Sequence, residues 1–231
     1  MTGLFLQVRL DSTRLPGKAL LPLGSLTVIE QAMQSLRNVN ADVFALLTDS
    51  SSVSQLQVLS KKWGFEIFVG DKNNVLKRYA DAIEYFSVST VIRATGDNPL
   101  VSGILANKIL EYHNNKQADY SGFTGIPLGT GVEILNAEAV LKANRLSEDA
   151  YEQEHVSPYL YFRETDFLIC RVPSPAEYYC PNERVTLDTE EDYYKIKNIY
   201  TQIYHGQPIE IQELVSWLRI NINDEYYAMA L

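Results

Sequence analysis

Two hydrophobic rhythms alternate along the first half of the chain. Short, nearly continuous apolar runs predict buried strands at Leu4–Val8, Val43–Leu47, Glu66–Val69 and Val88–Ala94. Between them, apolar positions recur at helical spacing over Leu26–Leu36, Val53–Trp63, Val75–Phe86 and Ile104–His113. In the third of these stretches the stripe is Val75, Leu76, Tyr79, Ile83 and Phe86. Strands this apolar need cover on both sides, so the expected fold is α/β: a mostly parallel twisted sheet with helices on both faces.

The second half is less regular. Asp119–Glu133, rich in glycine and aromatic residues, reads as loops and short strands. Glu138–Leu146 and Glu152–Phe162 read as helices, Phe167–Val172 as a strand, Pro173–Pro181 as a loop and Glu183–Leu187 as another strand. Thr189, with Asp192 three residues on, has the pattern of an N-cap and opens a helix running to near Tyr204. A last helix lies near Ile211–Leu218. We read 1–231 as a single domain in which roughly 120–185 form a small irregular β/α insertion.

Composition narrows the functional classes. With 46% hydrophobic and 21% charged residues among 231, the chain has material for one real core. A net charge of -9 argues against nucleic acid as a partner and against an anionic membrane surface. A small anionic ligand needs only a local group of cations and backbone N–H groups. Cys170 and Cys180 are too few for a disulfide scaffold and read as ordinary reduced residues. No basic stretch precedes Leu4–Val8, and no apolar run is long enough to cross a membrane, so the expected location is the cytoplasm without membrane insertion.

In an open parallel sheet, ligands bind beyond the carboxyl ends of the strands. The first strand feeds the loop Arg9-Leu10-Asp11-Ser12-Thr13-Arg14-Leu15-Pro16-Gly17-Lys18. Arg9, Arg14 and Lys18 lie beside Ser12 and Gly17, where the backbone can come close to a ligand. Such cations suit a triphosphate, whose charge must be balanced before a nucleophile approaches. The loop lacks the Gly-x-x-x-x-Gly-Lys-Ser/Thr spacing of a P-loop. The strand ending at Ala94 runs into Thr95-Gly96-Asp97-Asn98-Pro99, where Asp97 is a candidate magnesium ligand or a plain turn former. Asp188 follows Glu183–Leu187 in the same way and can share that metal if the two strands are neighbours, or simply favour the helix start. Thr48, after the second strand, and Gly70 to Arg78, including Asn74, are candidates to read a base and ribose or are plain turn formers. No zinc spacing and no Gly-x-Ser-x-Gly elbow occurs.

These blocks resemble a known family. Arg9-x-x-Ser12-Thr13-Arg14-Leu15-Pro16-Gly17-Lys18 is similar to the opening loop of sugar-acid cytidylyltransferases, in particular the spore-coat polysaccharide biosynthesis protein F type, related to 3-deoxy-manno-octulosonate cytidylyltransferase. Asn74-Val75-Leu76-x-Arg78-Tyr79, Arg93-x-Thr95-x-Asp97-x-Pro99-Leu100, Glu154-His155-Val156-x-Pro158-Tyr159 and Thr186-Leu187-Asp188-Thr189-x-Glu191-Asp192 follow in order. The resemblance implies a nucleotide-diphospho-sugar-transferase-like fold and transfer of CMP from CTP to a small anionic acceptor, with Mg2+ and release of pyrophosphate. It assigns the triphosphate to Arg14 and Lys18, the metal to Asp97 and Asp188, and nucleotide contacts to Arg9, Ser12, Gly17, Thr48, Gly70, Asn74, Arg78 and Thr95. It also implies a homodimer. Tyr120, Glu133, His155 and Arg184 are the candidates for the acceptor side, His155 reading equally as a helix-surface or interface histidine. Gly131 stands where the family usually carries a carboxylate, and Asn98 where a cysteine is common. A glycosyltransferase using a finished nucleotide sugar, or a non-catalytic nucleotide-binding subunit, are the competing classes.

Overall fold

The computed structural model describes residues 1–228, with side-chain surroundings through residue 221; residues 229–231 of the expected 1–231 unit lie outside the described residues. The first half forms β1 (Thr2–Gln7), a small hairpin of β2 (Pro22–Leu23) and β3 (Leu26–Thr27), then α1 (Val28–Leu36), β4 (Val43–Thr48) and α2 (Val53–Trp63). β5 (Glu66–Val69), α3 (Val75–Phe86), β6 (Thr90–Thr95) and α4 (Gly103–Lys116) complete it. The second half supplies β7 (Tyr120–Thr124), β8 (Glu133–Asn136), α5 (Ala137–Leu146), α6 (Ala150–His155), α7 (Pro158–Tyr161), β9 (Ile169–Pro173), α8 (Glu190–Ile203) and α9 (Ile211–Ala228).

Seven strands join one sheet in the order β5-β4-β1-β6-β8-β7-β9. Only β8 runs against its neighbours, β6 and β7. The expected mostly parallel sheet is therefore what forms, and residues 120–185 add three strands to it. Alternation along each strand sorts the core onto two faces. Leu4, Leu6, Leu46, Ile92 and Ala94 point toward α1, α2 and α4. Phe5, Ala45, Leu47 and Val91 point toward α3, α5 and the α6–α7 region. A third cluster packs α8 and α9 against Leu23, Val28 and Leu187.

The chain leaves β1 for β4 and β5 on one side and returns to β6 on the other. That change of direction opens a crevice above the carboxyl ends of β1 and β6, where ligands of such sheets bind.

Two expected elements differ. Glu183–Leu187 runs extended but joins no strand of the sheet; its single bridge is Arg184 with Leu128. Its backbone is satisfied by loops instead: Leu128 N–H donates to Glu183 O at 2.8 Å, and Leu187 N–H donates to Asp97 O at 3.2 Å. The expected helix Glu152–Phe162 is broken into α6 and α7 at Val156, whose φ is 70°.

Candidate active site

The loop after β1 is folded by its own backbone. Gly17 N–H donates to Leu10 O at 3.1 Å, and Gly17 takes φ 66°, a left-handed conformation that glycine adopts without steric cost. The 3₁₀ turn that follows, Lys18–Leu20, turns the Lys18 side chain inward. The start of the loop is pinned by Leu10 N–H donating to Ser52 Oγ at 3.2 Å. Ser52 is in turn held by Asp49 at 3.1 Å.

Lys18 is 9% exposed, which demands partners for its charge. Its Nζ donates to Asp97 Oδ2 at 2.7 Å, Leu187 O at 2.7 Å and Asp188 Oδ1 at 3.0 Å. Asp97 follows β6, whereas Asp188 arrives on the extended crossing segment; the two meet around one ammonium. Arg14 Nη2 lies 3.0 Å from Asp188 Oδ1, and Arg184 Nη2 lies 2.6 Å from Asp188 Oδ2. Burial works against the charged form of Asp188, but the Lys18 hydrogen bond and the charges of Lys18, Arg14 and Arg184 outweigh it and hold its carboxyl below the usual carboxylate range. Asp192, in the first turn of α8, accepts the backbone N–H groups of Asp188 and Thr189, each at 2.9 Å. Thr189 is thus the N-cap expected from the sequence.

A cleft of about 350 Å³ opens beside this cluster. Of the residues singled out in the sequence, Arg9, Ser12, Arg14, Lys18, Arg78, Thr95, Asp97, His155 and Asp188 line it. Asn98 lines it too, whereas Gly17, Thr48, Gly70 and Asn74 do not. Gly17 caps the Lys18 turn. Thr48 is fully buried at the end of β4. Asn74 caps α3, its side chain accepting from Lys77 N–H at 2.8 Å. Gly70 makes room for Arg78: a Cβ there would meet Arg78 Cγ at 2.6 Å. Arg78 is 2% exposed, its guanidinium oriented by Asp71 O (2.8 Å to Nε) and Lys72 O (3.1 Å to Nη2).

The acceptor-side candidates fall into three places. Arg184 turns to Asp188, at 2.6 Å, and to Asp192, at 3.5 Å, outside the cleft lining. Tyr120 and Glu133 sit deeper, with Tyr120 OH donating to Glu133 Oε1 at 3.0 Å. His155 faces the cleft from the last turn of α6, its ring 4.3 Å from that of Tyr151. Gly131 packs against Ile126, where a Cβ would meet Cδ1 at 2.7 Å. A carboxylate-bearing residue at that position would need Ile126 to move.

Arg93 was not among the expected site residues. It lines the cleft from mid-β6, its Nη1 2.5 Å from Glu133 Oε2 on the neighbouring β8, in direct register. Its signal in the sequence is a lone charge inside the apolar run Val91–Ala94. Gln7, Val75, Glu154 and Thr186 also line the cleft.

The oxygens around Lys18 Nζ bear on whether magnesium fits. Among the described residues no group of three or more His, Cys, Asp or Glu side chains is arranged around a common point. The set present is two carboxylates and one carbonyl, all hard oxygens already gathered about one positive charge. Magnesium uses few protein carboxylates and completes its shell with phosphate and water, so this set fits it.

Comparison with known proteins agrees with the architecture. A family model described as Cytidylyltransferase matches residues 4–218. The chain is 33% identical over 224 residues to the spore coat polysaccharide biosynthesis protein SpsF of Bacillus subtilis, covering 94% of this chain and 93% of that one. A solved cytidylyltransferase from Leptospira borgpetersenii superposes with a TM-score of 0.87 at 25% identity, covering 96% of this chain and 95% of that one. CMP:2-keto-3-deoxy-manno-octonic acid synthetase, solved with CTP, shares the fold at a TM-score of 0.68 and 15% identity, over 87% of this chain and 98% of that one. A family match over residues 4–218, joined to 33% identity with a relative over nearly the full length, places the chain in the cytidylyltransferase family.

Proposed function

We propose that the cleft binds CTP with Mg2+ and transfers CMP to a sugar acid or phosphorylated acceptor, releasing pyrophosphate, in the biosynthesis of a surface polysaccharide or glycoconjugate. The observation that carries this reading is the buried Lys18 ammonium, held by Asp97 and Asp188 at the foot of the basic loop. A phosphate-binding cation and two carboxylates converge there, as a metal–triphosphate complex requires. The naming of the Bacillus relative supports the polysaccharide setting.

In this reading Arg9, Ser12, Arg14 and Lys18 take the triphosphate from the loop side. Asp97 and Asp188 would hold the metal, which when bound neutralises phosphate charge and makes the α-phosphorus more electrophilic. An acceptor oxygen attacks the α-phosphorus in line with the bond to the β-phosphate oxygen. That bond breaks, and the charge on the leaving pyrophosphate is met by Arg14 and Lys18. The protein contributes orientation and charge neutralisation rather than a covalent step. Arg78, its guanidinium oriented by backbone carbonyls where it lines the cleft, would meet the base.

Pyrophosphate release from CTP, UTP, ATP and GTP, each against sugar acids and sugar phosphates with Mg2+, tests the reading. Release is expected with CTP and one acceptor class. Free nucleotide released from a nucleotide sugar without pyrophosphate would instead make this chain a glycosyltransferase.

A further inference from the structure

The junction between α6 and α7 carries the one buried aliphatic residue with positive φ among the described residues. Val156 has φ 70° and ψ -61° and is fully buried. Ser157 N–H donates to His155 O at 2.9 Å, closing a three-residue γ-turn of the rarer hand. A β-branched residue is strained in this region of the backbone, and such strain persists only where its surroundings over-determine it.

Those surroundings are specific. On one side of the turn, His155 lines the cleft, its ring 4.3 Å from that of Tyr151. On the other, Ser157 is 1% exposed and its Oγ donates to Glu133 Oε2 at 2.7 Å. The same oxygen meets Arg93 Nη1 at 2.5 Å, and Glu133 Oε1 accepts from Tyr120 OH at 3.0 Å. Glu133 therefore joins β6, β7, β8 and the turn through both carboxylate oxygens, which leaves neither directed to a ligand. Val156 itself locks into the core with Tyr159 and Leu160.

We propose that Glu133 is a positioning residue for CMP transfer: through Ser157 it clamps the strained turn at Val156, and so holds the His155 imidazole toward the acceptor in the cleft. The inference rests on the transferase reading above, and it gives Glu133 and Tyr120 a supporting role behind His155 in place of direct acceptor contact.

A double-mutant cycle tests it. Glu133→Gln and His155→Ala should each raise the acceptor KM by about tenfold and leave the CTP KM unchanged. The double variant should be no worse than His155→Ala. Ser157→Ala, which removes a single hydrogen bond of the clamp, should move the acceptor KM in the same direction if Glu133→Gln folds poorly. Additive losses, about a hundredfold in the double variant, or an equal rise in the CTP KM, would overturn the proposal. NMR of the histidine rings decides it without turnover. The His155 resonance, identified by its loss in His155→Gln, should shift in Glu133→Gln and Ser157→Ala. An unmoved resonance overturns the positioning role. Failure of every acceptor to release pyrophosphate would instead defeat the transferase reading, and the ring resonance would still report on the clamp.

Discussion

Asp188→Asn is expected to lower CMP transfer by about 10³-fold or more, with Asp97→Asn close behind. Each substitution keeps the shape of the side chain and removes one of the two negative charges that surround Lys18 Nζ at 2.7 and 3.0 Å. A metal that stabilises phosphoryl transfer contributes several kcal/mol to the transition state, and each 1.36 kcal/mol is about tenfold in rate. Loss of one of two carboxylates removes much of that contribution. Asp188 should be the more sensitive of the pair, since Lys18, Arg14 and Arg184 all converge on it. Steady-state pyrophosphate release at saturating Mg2+ measures the effect. Wild-type turnover by either variant would mean that the metal sits elsewhere.

Lys18→Met is expected to reduce kcat by about 10²- to 10³-fold, the usual loss when one preorganised positive group opposite developing charge is removed. It has a second, independent consequence. With the ammonium gone, the Asp188 carboxyl loses the hydrogen bond and charge of Lys18 that help hold it below the usual carboxylate range, while Arg14 and Arg184 remain beside it. In the wild-type protein Asp188 has the full effect of Lys18. Its carboxyl is held low in the folded state, so its contribution is present above the ordinary carboxylate range and is lost as pH falls below it. The melting-temperature gap between wild type and Lys18→Met should therefore be widest near pH 7 and narrow toward pH 4. A gap constant across that range would show that Lys18 does not hold the Asp188 carboxyl low.

The parts legible in the sequence are those set by local pattern. Val75, Leu76, Tyr79 and Ile83 fall at helical spacing and are buried on one face of α3. The loop from Arg9 to Lys18 stands out because its cations follow an apolar strand, and the fold does set Arg9, Arg14 and Lys18 in the cleft wall. What escaped depends on long-range register. Nothing near Glu133 in the chain shows that it lies opposite Arg93 across β6 and β8. The break at Val156 has one local sign, Pro158 at the first turn of α7. Glu183–Leu187 has the composition of a strand, but its hydrogen bonds go to Leu128 and Asp97, so it serves as a strap delivering Asp188. Arg184 reads as free to meet an acceptor only until Asp188 and Asp192 are seen beside it.

A crystal structure of the protein with Mg2+ and a non-hydrolysable CTP analogue is the most direct test of the central claim. The account predicts the triphosphate along Arg9 to Lys18, Lys18 Nζ on a phosphate oxygen, the metal between Asp97 and Asp188, and the base toward Arg78. A nucleotide bound away from this loop, or one seated in the cleft with no metal at either carboxylate, would contradict it.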